Sequence, residues 1–225
     1  MINQDICDWK AAEEGLQRAI TINPNYPLAH YYYGLLLSFQ GNFSGDLKEI
    51  KKALALDPLS ITANRNLGAT YYFARQYDKA LEALHKTLEL DPEEFWAHPY
   101  IGLTYFEMGR YEEALAELYK VEVSPKTSSV IDSLKGIMYA RMGKKKEALQ
   151  LLRELEAKYK REYMPPFFIS LLCFALEKND KGFQYLEEAY RVKDQWLRYV
   201  KVAPIIFDQV RSDPRYKRIL RKMGL

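Results

Sequence analysis

Apolar positions along the chain recur at helical spacing, and that local pattern itself repeats at a longer interval. Gly34, Gly68, Gly102 and Gly136 stand 34 residues apart. Pro24, Pro58 and Pro92 keep the same interval, as do Ala80, Ala114 and Ala148. Leu16, Ile50, Leu84, Leu118, Leu152 and Leu186 form a longer series. Leu37, Tyr71, Tyr105, Tyr139 and Cys173 form another, and Trp9, Phe43, Tyr77 and Tyr111 a further one. Several residue types in phase at one period mark a stacked array, because each unit must bury its apolar face against its neighbours.

Within a unit the spacing predicts two amphipathic helices and a short turn. In the third unit the first helix is expected from Trp96 to Met108, a turn at Gly109-Arg110, and the second helix from Tyr111 to Val121. Gly68 and Ala80 are small where the two helices of a pair approach most closely. Asp57-Pro58 and Asp91-Pro92 end one unit and open the next, since proline stops a helix and pushes the preceding residue out of helical geometry. The units at 27–60, 61–94 and 95–128 keep this pattern. In the unit at 129–162, Lys135 and Lys145 occupy apolar places and the closing proline is displaced to Pro125. Asp46 and Gly182 replace an expected alanine, which predicts looser packing at both.

The ends differ from the middle. Asp8 to Pro24, with Trp9, Ala12, Leu16 and Ala19 in phase, reads as a second helix without a first, so upstream sequence or a second copy is expected to cover it. From Trp196 the period is lost. A short helix, a turn of helix at Pro204 and a last helix capped by Asp213 and opened by Pro214 are expected there. The division is therefore a half repeat over 1–24, four units over 25–162, a degenerate fifth over 163–193 and a basic cap over 194–225.

The stretch NRNLGATYYFARQYDKALEALHKTLELDP, Asn64 to Pro92, resembles the tetratricopeptide repeat, and so does HPYIGLTYFEMGRYEEALAEL, His98 to Leu118. The resemblance implies an all-α fold, a right-handed α-α superhelix (a solenoid) with C-terminal capping helices. It also implies a non-catalytic scaffold that binds a protein or peptide segment. Array and tail together are similar to the C-terminal region of bacterial signalling chains that carry a cyclase, kinase, winged-helix or TolB-like domain upstream. That similarity implies, as an alternative, a regulatory or self-association module, with pairing of copies through the incomplete first repeat.

Composition sharpens this picture in three ways. Net charge is only +3, but residues 190–225 hold ten Lys/Arg against three Asp/Glu. A basic tail on a nearly neutral chain without a nucleic-acid module argues for a cap and not for nucleic-acid binding. No apolar run is long enough to span a membrane. Two cysteines, Cys7 and Cys173, far apart in sequence, suit a reducing, cytoplasmic setting.

Catalytic and cofactor chemistry finds little support. His30, His85 and His98 lack metal-ligand spacing. No phosphate loop is present, and Glu13-Glu14, Glu93-Glu94 and Glu112-Glu113 read as solvated acids near helix starts. No catalytic residue, metal or cofactor is expected. Aromatic residues, by contrast, make up 14% of the chain, with 18 tyrosines. In the family resembled, first helices line a concave groove. The partner-binding candidates are Tyr31, Tyr32 and Leu35 on one such helix, Arg65, Asn66, Ala69 and Tyr72 on the next, and Trp96, Tyr100, Leu103 and Glu107 on the third. Leu28 and Thr62 fall in the same rows. Of the places that clamp chaperone C-termini in related domains, Asn66 matches, whereas Tyr31, Leu35, Trp96 and Tyr100 do not.

Overall fold

The computed structural model describes residues 8–121 and 127–225, apart from the side chains of residues 204 and 205. Cys7 and the displaced Pro125 lie outside the described residues. All regular structure among those described is helical: α1 (Trp9–Ile22), α2 (Pro27–Phe39), α3 (Phe43–Leu56), α4 (Ile61–Phe73), α5 (Tyr77–Leu90), α6 (Ala97–Glu107), α7 (Tyr111–Lys120), α8 (Ser128–Arg141), α9 (Lys145–Tyr159), α10 (Pro166–Ala175) and α11 (Asn179–Arg191). A 3-10 helix (Gln195–Tyr199), α12 (Pro204–Phe207) and α13 (Pro214–Lys222) complete it. The chain forms two compact units, one up to Thr104, with Gly224, and one from Tyr105 to Met223, with Leu225. Hairpins α2/α3 and α4/α5 build the first, α8/α9 and α10/α11 the second.

One turn closes each hairpin. Gly41, Arg75, Gly109, Gly143 and Glu177, 34 residues apart, all take left-handed backbone, with φ of 83°, 59°, 77°, 76° and 59°. The amide of the next residue then reaches back five positions: Asn42 to Leu37, Gln76 to Tyr71, Arg110 to Tyr105, Lys144 to Tyr139, and Lys178 to Cys173, at 2.8–2.9 Å. This satisfies carbonyls that the end of a helix leaves open. Starts are fixed by side chains: Asp8 accepts from the Ala11 amide, Asn42 from Gly45, Ser60 from Ala63 and Asp213 from Arg215.

The hairpins pack as their glycines require. A Cβ added at Gly68 would lie 2.5 Å from Leu84 Cγ, with the Ala80 carbonyl next to it. The looser packing expected at Gly182 and Asp46 is not found. A Cβ at Gly182 would sit 2.5 Å from the Phe174 ring, which fills the space from the other helix. Asp46 is buried, its carboxylate fills the hollow at Gly34, and it accepts the Thr70 hydroxyl at 2.5 Å. Lys135, at an apolar place, lies over the Tyr119 ring at 4.2 Å.

One position ties each connecting turn to the helix after it. His30 Nε2 bonds the Pro24 carbonyl at 2.8 Å, and Asn64 Nδ2 in the next repeat donates to the Pro58 carbonyl at 3.0 Å. The other nitrogen of His30 meets buried Glu49 at 2.6 Å. His30 is thus a structural residue. In the tail, Asp194 is fully buried and accepts the Phe167 and Trp196 amides, locking the 3-10 helix onto α10.

Candidate functional site

Ten of the eleven candidate residues lie in the first unit, on α2, on α4 and on the first part of α6, with Trp96 just before it. Glu107 falls in the second unit, half-buried at the end of α6. The structure sorts the ten into two groups. Tyr31, Asn66, Ala69 and Tyr72 are buried, whereas Tyr32 is exposed and Leu35, Arg65, Trp96, Tyr100 and Leu103 are partly exposed. Asn66 Nδ2 donates to the Tyr31 hydroxyl at 2.8 Å, which joins α2 to α4. Tyr31 also packs in a core cluster with Ile50, Ala53 and Ala63. These buried groups hold the repeats together, and a ligand would meet their neighbours first.

Three of the 34-residue rows share one feature, which the rows through Arg65 and Tyr72 do not. Leu28, Thr62 and Trp96 are equivalent by 34-residue phase, as are Tyr32, Asn66 and Tyr100, and Leu35, Ala69 and Leu103. In each row the residue on α4 is the smallest. On these rows α4 carries smaller side chains than Leu28, Tyr32 and Leu35 in the repeat before it and Trp96, Tyr100 and Leu103 in the repeat after it. Aromatic contacts stiffen both sides: Tyr31 meets Tyr32 edge-on at 4.9 Å, Phe95 meets Trp96 at 4.9 Å, and Tyr100 sits 6.1 Å from both Tyr72 and Phe73.

Charge is almost absent here. α2 has no Asp, Glu, Lys or Arg, α4 has only Arg65 and α6 only Glu107. Arg65 does not stand alone. Its Nε lies 3.4 Å from Glu94 Oε1, both side chains being largely buried. The other Glu94 oxygen accepts the Ala97 amide at 2.7 Å and so holds the start of α6. Burial pushes the Glu94 carboxyl above its ordinary range, and the charge of Arg65 and the amide bonds oppose this. Glu93 is solvated as the sequence suggests, but Glu94 is a structural acid. The signal was its place three residues before Ala97, the reach of a side chain that caps a helix.

Other candidate chemistry is used up by the fold. In the tail, Arg218 and Lys222 both bond Glu187, at 2.9 and 2.7 Å, and Arg215 bonds Asp180 at 2.7 Å. These three of the ten tail cations are therefore met by acids of α11. Cys173 is buried, which pushes its thiol up to about 12. Among the described residues no group of three or more His, Cys, Asp or Glu could hold a metal, and no helix is long and apolar enough to cross a membrane.

Helical hairpins at 34-residue period, closed by a left-handed turn and packed through a first-helix glycine, define the tetratricopeptide class of fold. Residues 65–129 match the tetratricopeptide repeat family model. Solved structures agree over longer stretches. A tetratricopeptide repeat protein from Parabacteroides merdae is 21% identical with a TM-score of 0.59, over 97% of this chain and 93% of that one. A thermophilic tetratricopeptide protein from Thermus thermophilus is 18% identical with a TM-score of 0.61, over 89% and 100%. YrrB, described as a tetratricopeptide protein with an unusual peptide-binding site, is 21% identical with a TM-score of 0.52, over 83% and 97%. No curated protein sequence matches the chain.

Proposed function

We propose that this chain is a non-catalytic scaffold that binds a protein segment in a trough over α4. One observation carries the reading: along three rows the side chains of α4 are smaller than the aromatic and aliphatic residues of the repeats on either side. Large rings beside a low floor offer much burial at little entropy cost. The likeness to YrrB, itself described as peptide-binding, supports a peptide as ligand. Since Arg65 is already matched by Glu94, the ligand favoured is an uncharged, apolar segment laid along α4, in the manner of a helix in a groove. The structural fates of the tail cations argue against an anionic polymer as the principal partner. A regulatory role within a larger bacterial signalling chain is the second reading, supported by the likeness of the array and tail to such chains.

The test is titration of a peptide panel (apolar amphipathic helix, proline-rich and acidic-tail sequences) against the parent, Tyr32→Ala and Trp96→Ala. Each truncation is expected to weaken the best apolar peptide by roughly tenfold or more, as central aromatic anchors do, with little change in melting temperature. Binding should shift less than about twofold across a wide salt range, because no exposed ion pair contributes. Parent-like affinity in both variants would reject the trough.

A further inference from the structure

Tyrosine is the commonest aromatic residue of this chain, and two of its side chains meet hydroxyl to hydroxyl. Tyr119 lies in the last turn of α7 and Tyr139 on α8, and their oxygens are 2.8 Å apart. Either phenol can donate to the other, since each carries a proton and acceptor lone pairs. The ammonium of Lys135, one turn before Tyr139, stands 4.2 Å over the Tyr119 ring and holds it against α8. Both tyrosines belong to the second compact unit. Tyr119 is 62% exposed and Tyr139 is partly exposed, so reagents in solution reach the pair. Another tyrosine pair in this unit is engaged differently. Tyr159 and Tyr185 meet edge-on at 5.8 Å, but their hydroxyls donate to Glu188 and Glu156.

We propose that Tyr119 and Tyr139 are a modification site for a one-electron oxidant, which joins them through their ortho carbons as dityrosine and so staples the third repeat to the fourth. Each phenol gives up one electron together with its hydroxyl proton. The two phenoxyl radicals carry spin on oxygen and on the ortho carbons, and one carbon–carbon bond forms between two ortho positions. The hydrogens at those positions then pass to the oxygens as the rings regain aromaticity. The chain loses two electrons and two protons in all, and one hydrogen peroxide, acting through a haem peroxidase, takes them up as two waters. Geometry selects this pair. An ortho carbon lies two bonds from its own oxygen, so the hydroxyl contact brings the coupling atoms within a side-chain rotation of each other. The exposed Tyr119 ring has room to make that rotation. In the Tyr159 and Tyr185 pair a carboxylate holds each hydroxyl, and the same rotation would break two charge-assisted hydrogen bonds. The link closes the chain between residues 119 and 139 into a loop, which restricts the unfolded state and resists separation of α7 from α8. It uses no residue of the proposed trough, so it stands or falls independently of peptide binding.

The test is oxidation of the dilute full chain with a haem peroxidase and hydrogen peroxide, followed by isolation of the monomer so that links between copies do not count. The parent monomer should gain dityrosine fluorescence and lose the mass of two hydrogens. Its digest should contain the peptides of Tyr119 and Tyr139 joined, and its melting temperature should rise. Tyr119→Phe and Tyr139→Phe keep the rings but cannot form a phenoxyl radical, so each should lose the product. Tyr185→Phe should retain it. Melting temperatures near that of the untreated parent verify that the variants fold. Parent oxidised in urea should lose the preference for this pair, because the contact belongs to the fold. A parent monomer without dityrosine overturns the proposal. So does a yield that survives Tyr139→Phe, or a link mapped in the parent to other tyrosines.

Discussion

Asp46 and Glu187 are both carboxylates held by hydrogen bonds, yet they act on stability in opposite directions. Burial pushes the Asp46 carboxyl up to about 6, with hydrogen bonds from Thr70 and Ser38 opposing it. Between its unfolded value near 3.8 and 6, the folded chain holds a proton that the unfolded chain has released. Stability must then fall as pH rises through that window, by up to about 3 kcal/mol. Asp46→Asn keeps an acceptor for Thr70 and has nothing to titrate. Urea midpoints between pH 4 and 7 should show this fall in the parent and lose most of it in the variant. For Glu187, burial opposes ionisation, but the bonds from Lys222 and Arg218 outweigh it and hold the carboxyl below its usual range. Its contribution is present above the ordinary carboxylate range and is lost as pH falls below it. Backbone strain gives a second residue-scale prediction. Glu177 is exposed and takes the left-handed turn that glycine takes in three other repeats. Glu177→Gly should therefore raise stability by about 0.5–1 kcal/mol, read as an increase in melting temperature.

At the scale of the element, two glycines that look alike in sequence behave oppositely. Gly68 faces Leu84 across a hairpin, and a methyl group there must displace a buried side chain. Gly68→Ala should cost about 1–3 kcal/mol. Gly15 faces open space on α1, so Gly15→Ala should stabilise the chain by up to about 1 kcal/mol. Denaturant midpoints separate the two signs. The hairpins also use two interchangeable solutions at one contact. Where the connecting turn is bonded by His30, the buried position 19 residues later is Glu49; where it is bonded by Asn64, that position is Ala83. The sequence repeats the first solution at His98 and Glu117. Glu49→Ala alone removes the buried partner of the imidazole, whereas His30→Asn with Glu49→Ala reproduces the neighbouring repeat. The double variant should therefore lose less stability than the sum of the singles, by 1 kcal/mol or more, as expected for breaking one side of a buried pair.

At the scale of the whole chain, repeats contact their neighbours in sequence, so perturbations should stay local. Gly68→Ala lies in the first compact unit, and a matching Gly182→Ala lies in the second. Native-state hydrogen exchange should show each substitution lowering protection mainly in its own unit. Uniform loss across both units would mean that they open together.

The sequence by itself determined the period, the helix pairs and the turn positions. It could do so because each of these depends on local geometry: a left-handed residue every 34 positions, a proline at each junction and a small residue at each close approach. Helix limits followed within a residue or two, as at α6, expected from Trp96 to Met108 and found from Ala97 to Glu107. Tertiary structure decided which adjacent side chain faces out. Tyr31 and Tyr32 are indistinguishable as sequence, yet Tyr31 is 8% exposed and Tyr32 is 52% exposed. The difference goes with Asn66, 35 residues away, whose Nδ2 donates to the Tyr31 hydroxyl. The same holds for Asp46, which finds Thr70 in the next repeat, and for Arg65, which finds Glu94 at the far end of its own. Burial and pairing are set by what the neighbouring hairpin brings, and a period can locate that neighbour without saying which of its atoms will be there.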